Sequence, residues 1–314
     1  MTINKTTQKR QVRDLLKAIE TGEGDLPDYA TSIGLDKPFR PPEPTEDSEG
    51  VDGLLHVLGT EAPRAAAELG RQGVTGRRLV RALLTLRPPA PLPDGVHEMI
   101  DRLLANELAD RGVVDAASLE RLDELGSDAP FALCAFYKGD ITRLRIDAIV
   151  NAANSALLGC FIPFHACIDN AIHDRAGPRL RADCQVIMAG QRAAECVGAA
   201  KVTRAYNLPS RYVLHTVGPT VQGPLREEHR QQLTASYEAC LDLATRVGAR
   251  SVAFCGVSTG VFGFPKLPAA RIALATVENF LRRRPGALDL VVFNVFGDDD
   301  HAAYASALDE RRTP

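Results

Sequence analysis

The stretch GCFIPFHACIDNAIH, residues Gly159 to His173, concentrates side chains that bind metals. Its spacing Cys160-x4-His165-x-Cys167 places two thiols and one imidazole in a compact set of soft donors suited to zinc. Three protein donors and an open fourth position are typical of a catalytic zinc, whereas a structural zinc needs a fourth protein donor. The sequence offers four candidates for that donor: His173, Cys184, His215 and Cys255. Two buried cysteines and a hydrogen-bonded histidine are the alternative without a metal.

Three other stretches carry polar groups or glycines that suit a ligand. GDIT supplies the carboxylate of Asp140, and NAAN, residues Asn151 to Asn154, supplies two amides. STGVFGFP, residues Ser258 to Pro265, has glycines that let backbone N–H groups turn toward an anion. Each has an ordinary alternative: a turn or N-cap aspartate, an Asx turn and a glycine-rich connection.

Short apolar, β-branched runs alternate with helical segments from Phe131 onward. The runs are FALCAFYKG, DAIVNAAN, YVLHTVG, SVAFCGVS and DLVVFNVFG. This alternation predicts an α/β fold with a mixed or parallel sheet between helices. Ligands are then expected at the carboxyl ends of the strands, where the three polar stretches lie.

The residues before this region have a different character. Gln8 to Glu20 have helical spacing, and the Pro- and acid-rich stretch from Asp36 to Gly50 reads as a linker. From Val51 to about Leu125, apolar residues recur at spacings of three and four, which predicts a small helical layer. We therefore expect a partly mobile N-terminal segment (1–50), a helical extension (51–125) and an α/β domain (126–314).

Composition narrows the class of partner. A formal net charge of −3 provides no basic field for nucleic acid or an anionic membrane, and no apolar run is long enough to cross a bilayer. The seven cysteines are scattered and odd in number, which argues against a disulfide framework. With no signal-peptide pattern at the polar start, we expect a cytoplasmic protein that binds neither nucleic acid nor membrane.

Taken in order, these stretches resemble one family. GDITRLRIDAIVNAANSALLGCFIPFHACIDNAIH, AYNLPSRYVLHTVGP, STGVFGFP and FNVFG together are similar to the macrodomains, and within them to the zinc-containing ADP-ribosyl hydrolase branch. The segment with LTLRPPAPLP resembles the helical extension that this branch carries. The resemblance implies a three-layer α/β/α macrodomain with a mixed central sheet, preceded by that small extension.

The resemblance also implies roles for individual residues. Asp140 would accept a hydrogen bond from the adenine amino group of ADP-ribose, Phe296 would stack on the base, and Asn154 would hold the distal ribose. Asp169 matches the catalytic aspartate, although an N-cap at the helix beginning near Asn170 is its ordinary alternative. Cys160, His165 and Cys167 match the zinc ligands. The remaining ligand-binding residues implied are Ile141, Ser258, Thr259, Gly260, Val261, Phe262, Gly263 and Phe264.

The activity implied is zinc-dependent removal of mono-ADP-ribose from protein side chains, most simply from Asp or Glu esters, with Asn154 and Asp169 as catalytic residues. Two alternatives use the same pocket: a reader that binds ADP-ribose without cleaving it, and a deacetylase of O-acetyl-ADP-ribose. A doubly wound NAD-dependent oxidoreductase is disfavoured, because the first strand–helix junction lacks a glycine fingerprint. Two positions depart from the branch, since Gly256 and Gly263 stand where its members often carry cysteine and histidine.

Overall fold

A computed structural model of the chain describes residues 26–45, 50–122 and 130–312. Eight strands are present among them: β1 (Val114–Asp115), β2 (Cys134–Lys138), β3 (Leu144–Arg145), β4 (Ala148–Ala152), β5 (Ala200–Arg204), β6 (Tyr212–Thr216), β7 (Ser251–Phe254) and β8 (Leu290–Val295). Six of them form a sheet in the order β2-β8-β7-β4-β6-β5. Every neighbouring pair in it is parallel except β5 and β6, so the central sheet is mixed, as expected.

Nine α-helices occur in the described residues: α1 (Gly50–Glu61), α2 (Pro63–Arg71), α3 (Gly76–Leu86), α4 (Val96–Arg111), α5 (Ile168–Ala176), α6 (Pro178–Gln191), α7 (Glu227–Arg246), α8 (Lys266–Arg283) and α9 (Asp298–Arg312). α7 connects β6 to β7 and α8 connects β7 to β8, so both connections run toward the β2 edge of the sheet. The connection from β4 to β6, which contains α5 and α6, runs toward the opposite edge. Because such crossovers are right-handed, α7 and α8 share one face, and α5 and α6 cover the opposite one. α9 packs on α8, which completes three layers. None of the helices in the described part combines the length and apolarity that crossing a bilayer would require.

The inner strands are buried on both faces because helices cover both. Every residue of β8 is buried, as are the first four residues of β4. Two features differ from the expectation from sequence. The edge strand β5 was not predicted, since its AKVTR pattern has only one fully apolar inward position between charged residues. The helical segment after Ile168 is two helices, because Pro178 starts a new one after the positive-φ residue Gly177.

The helical extension has its own small core. It is formed by Leu54, Leu58, Val80, Leu83, Val96, Ile100 and Leu104 from α1, α3 and α4. Ion pairs join it to the α/β domain: Arg81 to Asp174 at 2.6 Å and Arg179 to Asp101 at 3.0 Å. The predicted helical layer therefore packs directly against α5 and α6.

The segment before the extension is described from residue 26 to residue 45, and the helix expected at 8–20 lies outside the described residues. Ala30, Ile33 and Leu35 are buried in the main core, and the backbone N–H of Val202 donates to the Tyr29 hydroxyl at 2.9 Å. The aromatic ring of Phe39 packs edge-on against Tyr206. These residues thus belong to the packed α/β domain, while the boundaries 1–50, 51–125 and 126–314 stay predictions.

Candidate functional site

The carboxyl ends of the parallel strands bring the predicted polar stretches to one edge of the sheet. β4 ends in NAAN, β7 leads into the glycine-rich loop, and β2 and β8 lead to Asp140 and Phe296. β2 and β8 are paired with Lys138 opposite Val295, so the segments bearing Asp140 and Phe296 leave the sheet side by side. This edge is where open α/β sheets bind ligands.

The predicted metal donors come together in the loop before α5. Cys160 Sγ lies 3.2 Å from His165 Nδ1, and these atoms and Cys167 Sγ all lie within 4.8 Å of one another. All three side chains are half-buried. Two sulfur donors and one imidazole nitrogen at this separation fit a borderline-soft cation such as Zn²⁺.

This donor loop has a tight backbone that neighbouring cations hold in place. Phe161 and Phe164 adopt positive φ values of 54° and 62°, which side chains other than glycine rarely take. The guanidinium of Arg181 stacks over Phe161 at 4.5 Å, and that of Arg78 over Phe164 at 5.1 Å. Such strain persists only where surrounding contacts enforce it.

Arg181 also contacts the helical extension. Its Nη1 donates to the carbonyl oxygens of Leu84 at 3.0 Å, Thr85 at 3.2 Å and Arg87 at 2.5 Å, at the carboxyl end of α3. A cation at this end of a helix is favoured by the helix dipole. One buried side chain therefore links the donor loop to the extension.

The interpretation of Asp169 as an N-cap is wrong. α5 begins at Ile168, and the cap is Cys167, whose sulfur accepts from the N–H of Asn170 at 3.4 Å. Asp169 therefore lies within the first turn, where the helix dipole favours a negative charge. Its carboxylate points inward rather than capping the helix.

The Asp169 carboxylate is buried and held by two amides. Asn151 Nδ2 donates to Oδ1 at 2.8 Å, and Asn154 Nδ2 approaches Oδ2 at 3.4 Å. Burial raises the pKa of Asp169 to about 6, against the opposing effects of the Asn151 hydrogen bond and the Arg181 charge. The Asx turn expected at Asn154 is also present, since its Oδ1 accepts from Ala156 N–H at 2.9 Å. Asn154 thus serves the turn and the carboxylate together.

A buried chain of hydrogen bonds fixes the Asn151 amide from behind. Because Nδ2 of Asn151 donates to both Asp169 and Nδ1 of His215, at 3.1 Å, the proton of the neutral imidazole belongs on Nε2, which lies 3.0 Å from Thr203 Oγ1. Burial lowers the pKa of His215 to about 3. His215, a candidate metal donor from the sequence, is therefore a hydrogen-bonded residue of β6.

The candidates for a fourth metal donor do not join the triad. His173, Cys184 and His215 form a separate, fully buried group, and among the described residues no further His, Cys, Asp or Glu lies within 4.8 Å of all three triad donors. Burial, together with the Arg181 charge, holds the pKa of His173 well below its usual value. The arrangement favours three protein ligands, the pattern of a catalytic rather than a structural zinc.

The loop of residues 258–264 is shaped to bind an anion. The backbone N–H groups of Gly260, Val261 and Phe262 donate to no group in the described part of the chain, and Gly260 and Val261 are exposed. Other bonds brace the loop: Phe264 N–H donates to the Ser258 carbonyl at 3.0 Å, and Thr259 Oγ1 donates to the Gly256 carbonyl at 3.0 Å. Three consecutive backbone donors are therefore available to an anionic ligand such as a diphosphate.

Two residues of this loop that were predicted to contact the ligand, Phe264 and Ser258, have buried side chains. Phe264 is 2 % exposed and lies in the main core, with its N–H already bonded, so it closes the loop. Ser258 is buried in a left-handed backbone conformation at φ 65°, and a Cβ on neighbouring Gly218 would lie 2.0 Å from its hydroxyl oxygen. The loop therefore requires a glycine at position 218. Nothing in the sequence indicated this requirement.

The remaining predicted ligand contacts are Asp140, Ile141 and Phe296. Asp140 caps a short 3₁₀ helix (Ile141–Arg143) by accepting from the Thr142 N–H at 2.9 Å. Ile141 has its side chain in the core, so only its backbone can face a ligand. Phe296 is 77 % exposed, so its ring is accessible to a ligand.

Comparison with known proteins agrees with this geometry. The family model described as Macro domain matches residues 150–273. A protein-ADP-ribose hydrolase of Treponema medium is 44 % identical over 226 residues, covering 72 % of this chain and 85 % of that protein. The chain belongs to the macrodomain family.

Other macrodomain proteins agree. A protein-ADP-ribose hydrolase of Staphylococcus aureus (strain Mu50) is 45 % identical over 231 residues, 73 % of this chain and 84 % of the relative. The crystal structure of a Trypanosoma brucei macrodomain in complex with ADP-ribose superimposes with a TM-score of 0.57 at 35 % identity, covering 72 % of this chain and 94 % of that one. The macrodomain fold expected from the resemblance is thereby confirmed.

Sequence reasoning missed three supporting residues of this macrodomain. Asn151 was noticed only as part of NAAN, whereas it is the closest hydrogen-bond donor to Asp169. Arg181 and Arg111 were not noticed, because their partners lie 94 and 29 positions away in the chain. No local pattern in the sequence marks Arg181, because its burial appears only in the folded structure.

Proposed function

We propose that this macrodomain hydrolyses the bond between the distal ribose of ADP-ribose and a protein side chain, releasing ADP-ribose from mono-ADP-ribosylated proteins. The observation that carries the proposal is the Asp169 carboxylate, held by Asn151 and Asn154 in the same loop-and-helix unit as the three metal donors. The two bacterial relatives carry the name protein-ADP-ribose hydrolase, which supports an enzyme of this class.

ADP-ribose binds along the edge of the sheet. Asp140 and the exposed ring of Phe296 take the adenine, and the free N–H groups of residues 260–262 take the diphosphate. Asn154 then meets the distal ribose beside Asp169. Binding energy gained at the base and phosphates positions the scissile bond without itself acting on it.

The residues that hold a Zn²⁺ ion in this proposal are Cys160, His165 and Cys167, whose donor chemistry suits it. When bound, zinc with an open coordination position supplies a Lewis acid that polarises an oxygen ligand and lowers its pKa. Asn170 keeps the donor loop in shape, because its Nδ2 donates to the carbonyl oxygens of Ile162 at 3.2 Å and His165 at 3.1 Å.

Asp169 is the group that accepts the proton of the attacking water. Its Oδ1 is fixed by Asn151, and its Oδ2 faces Asn154, the residue that meets the ribose. The water oxygen bonds to the ribose carbon as the bond from that carbon to the protein side chain breaks. The products are ADP-ribose and the unmodified side chain. An Asp or Glu ester is the linkage favoured here, because a carboxylate leaves without needing a proton from a second acid.

The setting we propose is the cytoplasm. All seven cysteines are free, including the half-buried pair of the donor loop, and thiols of this kind persist in reducing compartments. The partners proposed are ADP-ribose and a mono-ADP-ribosylated protein.

The test is single-turnover release of ADP-ribose from a protein carrying Asp/Glu-linked ADP-ribose, with zinc content measured on the same samples. Four proteins are compared: the wild type, Asp169→Asn, Cys167→Ala and the matched control Cys196→Ala, a half-buried cysteine outside the donor triad. We expect Asp169→Asn to lose release by at least a hundredfold while still binding ADP-ribose. Cys167→Ala should lose zinc and release together, and Cys196→Ala should lose neither.

Other outcomes identify the alternatives. A wild type that binds ADP-ribose but releases none from ester, serine or arginine linkages is a reader. Activity on O-acetyl-ADP-ribose alone identifies a deacetylase. Release that survives complete zinc loss in Cys167→Ala would remove the metal from the proposal and leave the hydrolase.

A further inference from the structure

Arg111, the last residue of α4, reaches from the helical extension to the turn expected to recognise adenine. Its Nη1 donates to Asp140 Oδ2 at 3.1 Å and to Thr142 Oγ1 at 3.1 Å. Asp140 Oδ1 is occupied separately, by the Thr142 N–H at 2.9 Å and its hydroxyl at 2.6 Å. The carboxylate therefore accepts hydrogen bonds from both the helical extension and the α/β domain.

An ionised carboxylate offers about four acceptor positions. Three of them at Asp140 are filled by Thr142 N–H, Thr142 O–H and Arg111. One position is left for an incoming donor, and the exocyclic amino group of adenine is such a donor. A base with an oxygen at that place, such as hypoxanthine, would present an acceptor to an acceptor.

We propose that Arg111 is a positioning residue for base recognition, through which the helical extension sets the adenine specificity of the macrodomain. The inference rests on the proposed function, because it needs ADP-ribose as the ligand of this cleft. Arg111 acts through Asp140: it holds the carboxylate in the orientation that leaves its last acceptor position directed out of the turn.

The surrounding structure fixes Arg111 itself. Its Nε donates to the Glu107 carbonyl one helical turn back at 3.3 Å. The carbonyl oxygen of the next residue, Gly112, accepts from Arg143 Nε at 2.9 Å. β1, which follows α4, pairs in parallel with β3, which follows the Asp140 turn, so two further contacts join the end of α4 to this turn. Arg111 is half-buried, which limits the competition of water for its hydrogen bonds.

The experiment measures the affinity of the full-length protein for ADP-ribose and for its hypoxanthine analogue, inosine diphosphate ribose, by calorimetry. The variants are Arg111→Ala, Arg111→Lys and the control Arg102→Ala, an exposed arginine on the same helix with no ion pair among the described residues. We expect Arg111→Ala to weaken ADP-ribose binding about tenfold and inosine diphosphate ribose binding little, so that base discrimination shrinks. Arg111→Lys should recover part of the loss, and Arg102→Ala should match the wild type.

A double-mutant cycle tests whether Arg111 acts through Asp140. In an Asp140→Ala background, Arg111→Ala should cost little more, since the carboxylate it orients is gone. With an ester substrate, Arg111→Ala should raise KM and leave kcat unchanged, because the base lies far from the bond that breaks.

Three results would overturn this role for Arg111: an equal loss for both nucleotides, a loss that persists undiminished in the Asp140→Ala background, or tighter ADP-ribose binding by Arg111→Ala. Failure of the wild type to bind ADP-ribose at all would instead overturn the proposed function. The two failures are thus distinguished by the wild-type measurement alone.

Discussion

Acid should weaken this fold in part through the buried imidazole of His215. The side chain is fully buried and neutral, with Nδ1 accepting from Asn151 and Nε2 beside Thr203. Burial lowers the folded-state pKa to about 3, whereas an unfolded histidine titrates near about 6.5. Below pH 6.5 His215 therefore binds more protons in the unfolded state than in the folded state, and its contribution to stability falls as the pH falls.

The size of this effect follows from the two pKa values. At pH 5 the unfolded histidine is almost fully protonated while the folded one is not, which lowers the free energy of unfolding by about 2 kcal/mol. At pH 7 the same effect is only about 0.2 kcal/mol. Protonation of Nδ1 would also place a donor against the Asn151 amide, which breaks the chain that supports Asp169.

The assay is urea unfolding at pH 7 and pH 5 for the wild type, for His215→Asn and for the control His56→Asn, which changes an exposed histidine. An asparagine oxygen can still accept from Asn151 but does not titrate. The wild type and His56→Asn should lose about 2 kcal/mol more between the two pH values than His215→Asn does. Equal losses in all three proteins would show that His215 is not the buried neutral group described here.

Three further changes have outcomes that the packing determines. Gly218→Ala puts a Cβ 2.0 Å from the hydroxyl oxygen of Ser258, so it should displace the anion loop, cost about 1–3 kcal/mol and weaken ADP-ribose binding; an unchanged calorimetric affinity would contradict this. Gly263→His introduces the residue type that the resemblance leads us to expect here, yet the site has φ +70° and a Cβ there would lie 3.0 Å from the carbonyl oxygen of Val221; Tm should fall, and a rise on thermal melting would refute the strain. Deleting residues 1–50 removes three buried aliphatic side chains from the main core and should lower stability by about 3–6 kcal/mol, whereas an unchanged urea midpoint would show that their burial contributes nothing.

The sequence was informative where function depends on short, local patterns. The Cys160-x4-His165-x-Cys167 spacing predicted donors that do converge, because all three belong to one loop. Polar residues at the carboxyl ends of strands were placed at one edge of the sheet, since parallel pairing requires it. These are properties that a few neighbouring residues settle.

Longer-range packing was not predictable in the same way. The N-cap of α5 is Cys167 rather than Asp169, because the helix begins two residues earlier than residue preference suggests. The burial of Ile33 and Leu35, which precede a Pro-rich stretch, depends on a surface formed far along the chain. The hydrogen bond from Arg111 to Asp140 likewise forms only when α4 packs against the α/β domain.

Arg181 stacks on the strained Phe161 of the donor loop and donates to three carbonyl groups at the end of α3. Replacing the extension by that of another macrodomain would therefore also disturb the donor loop. A chimera that joins this macrodomain to a foreign extension must supply carbonyl groups at the same place, or its donor loop loses the cation that enforces its shape. In this protein the donor loop and the extension therefore have to be exchanged together.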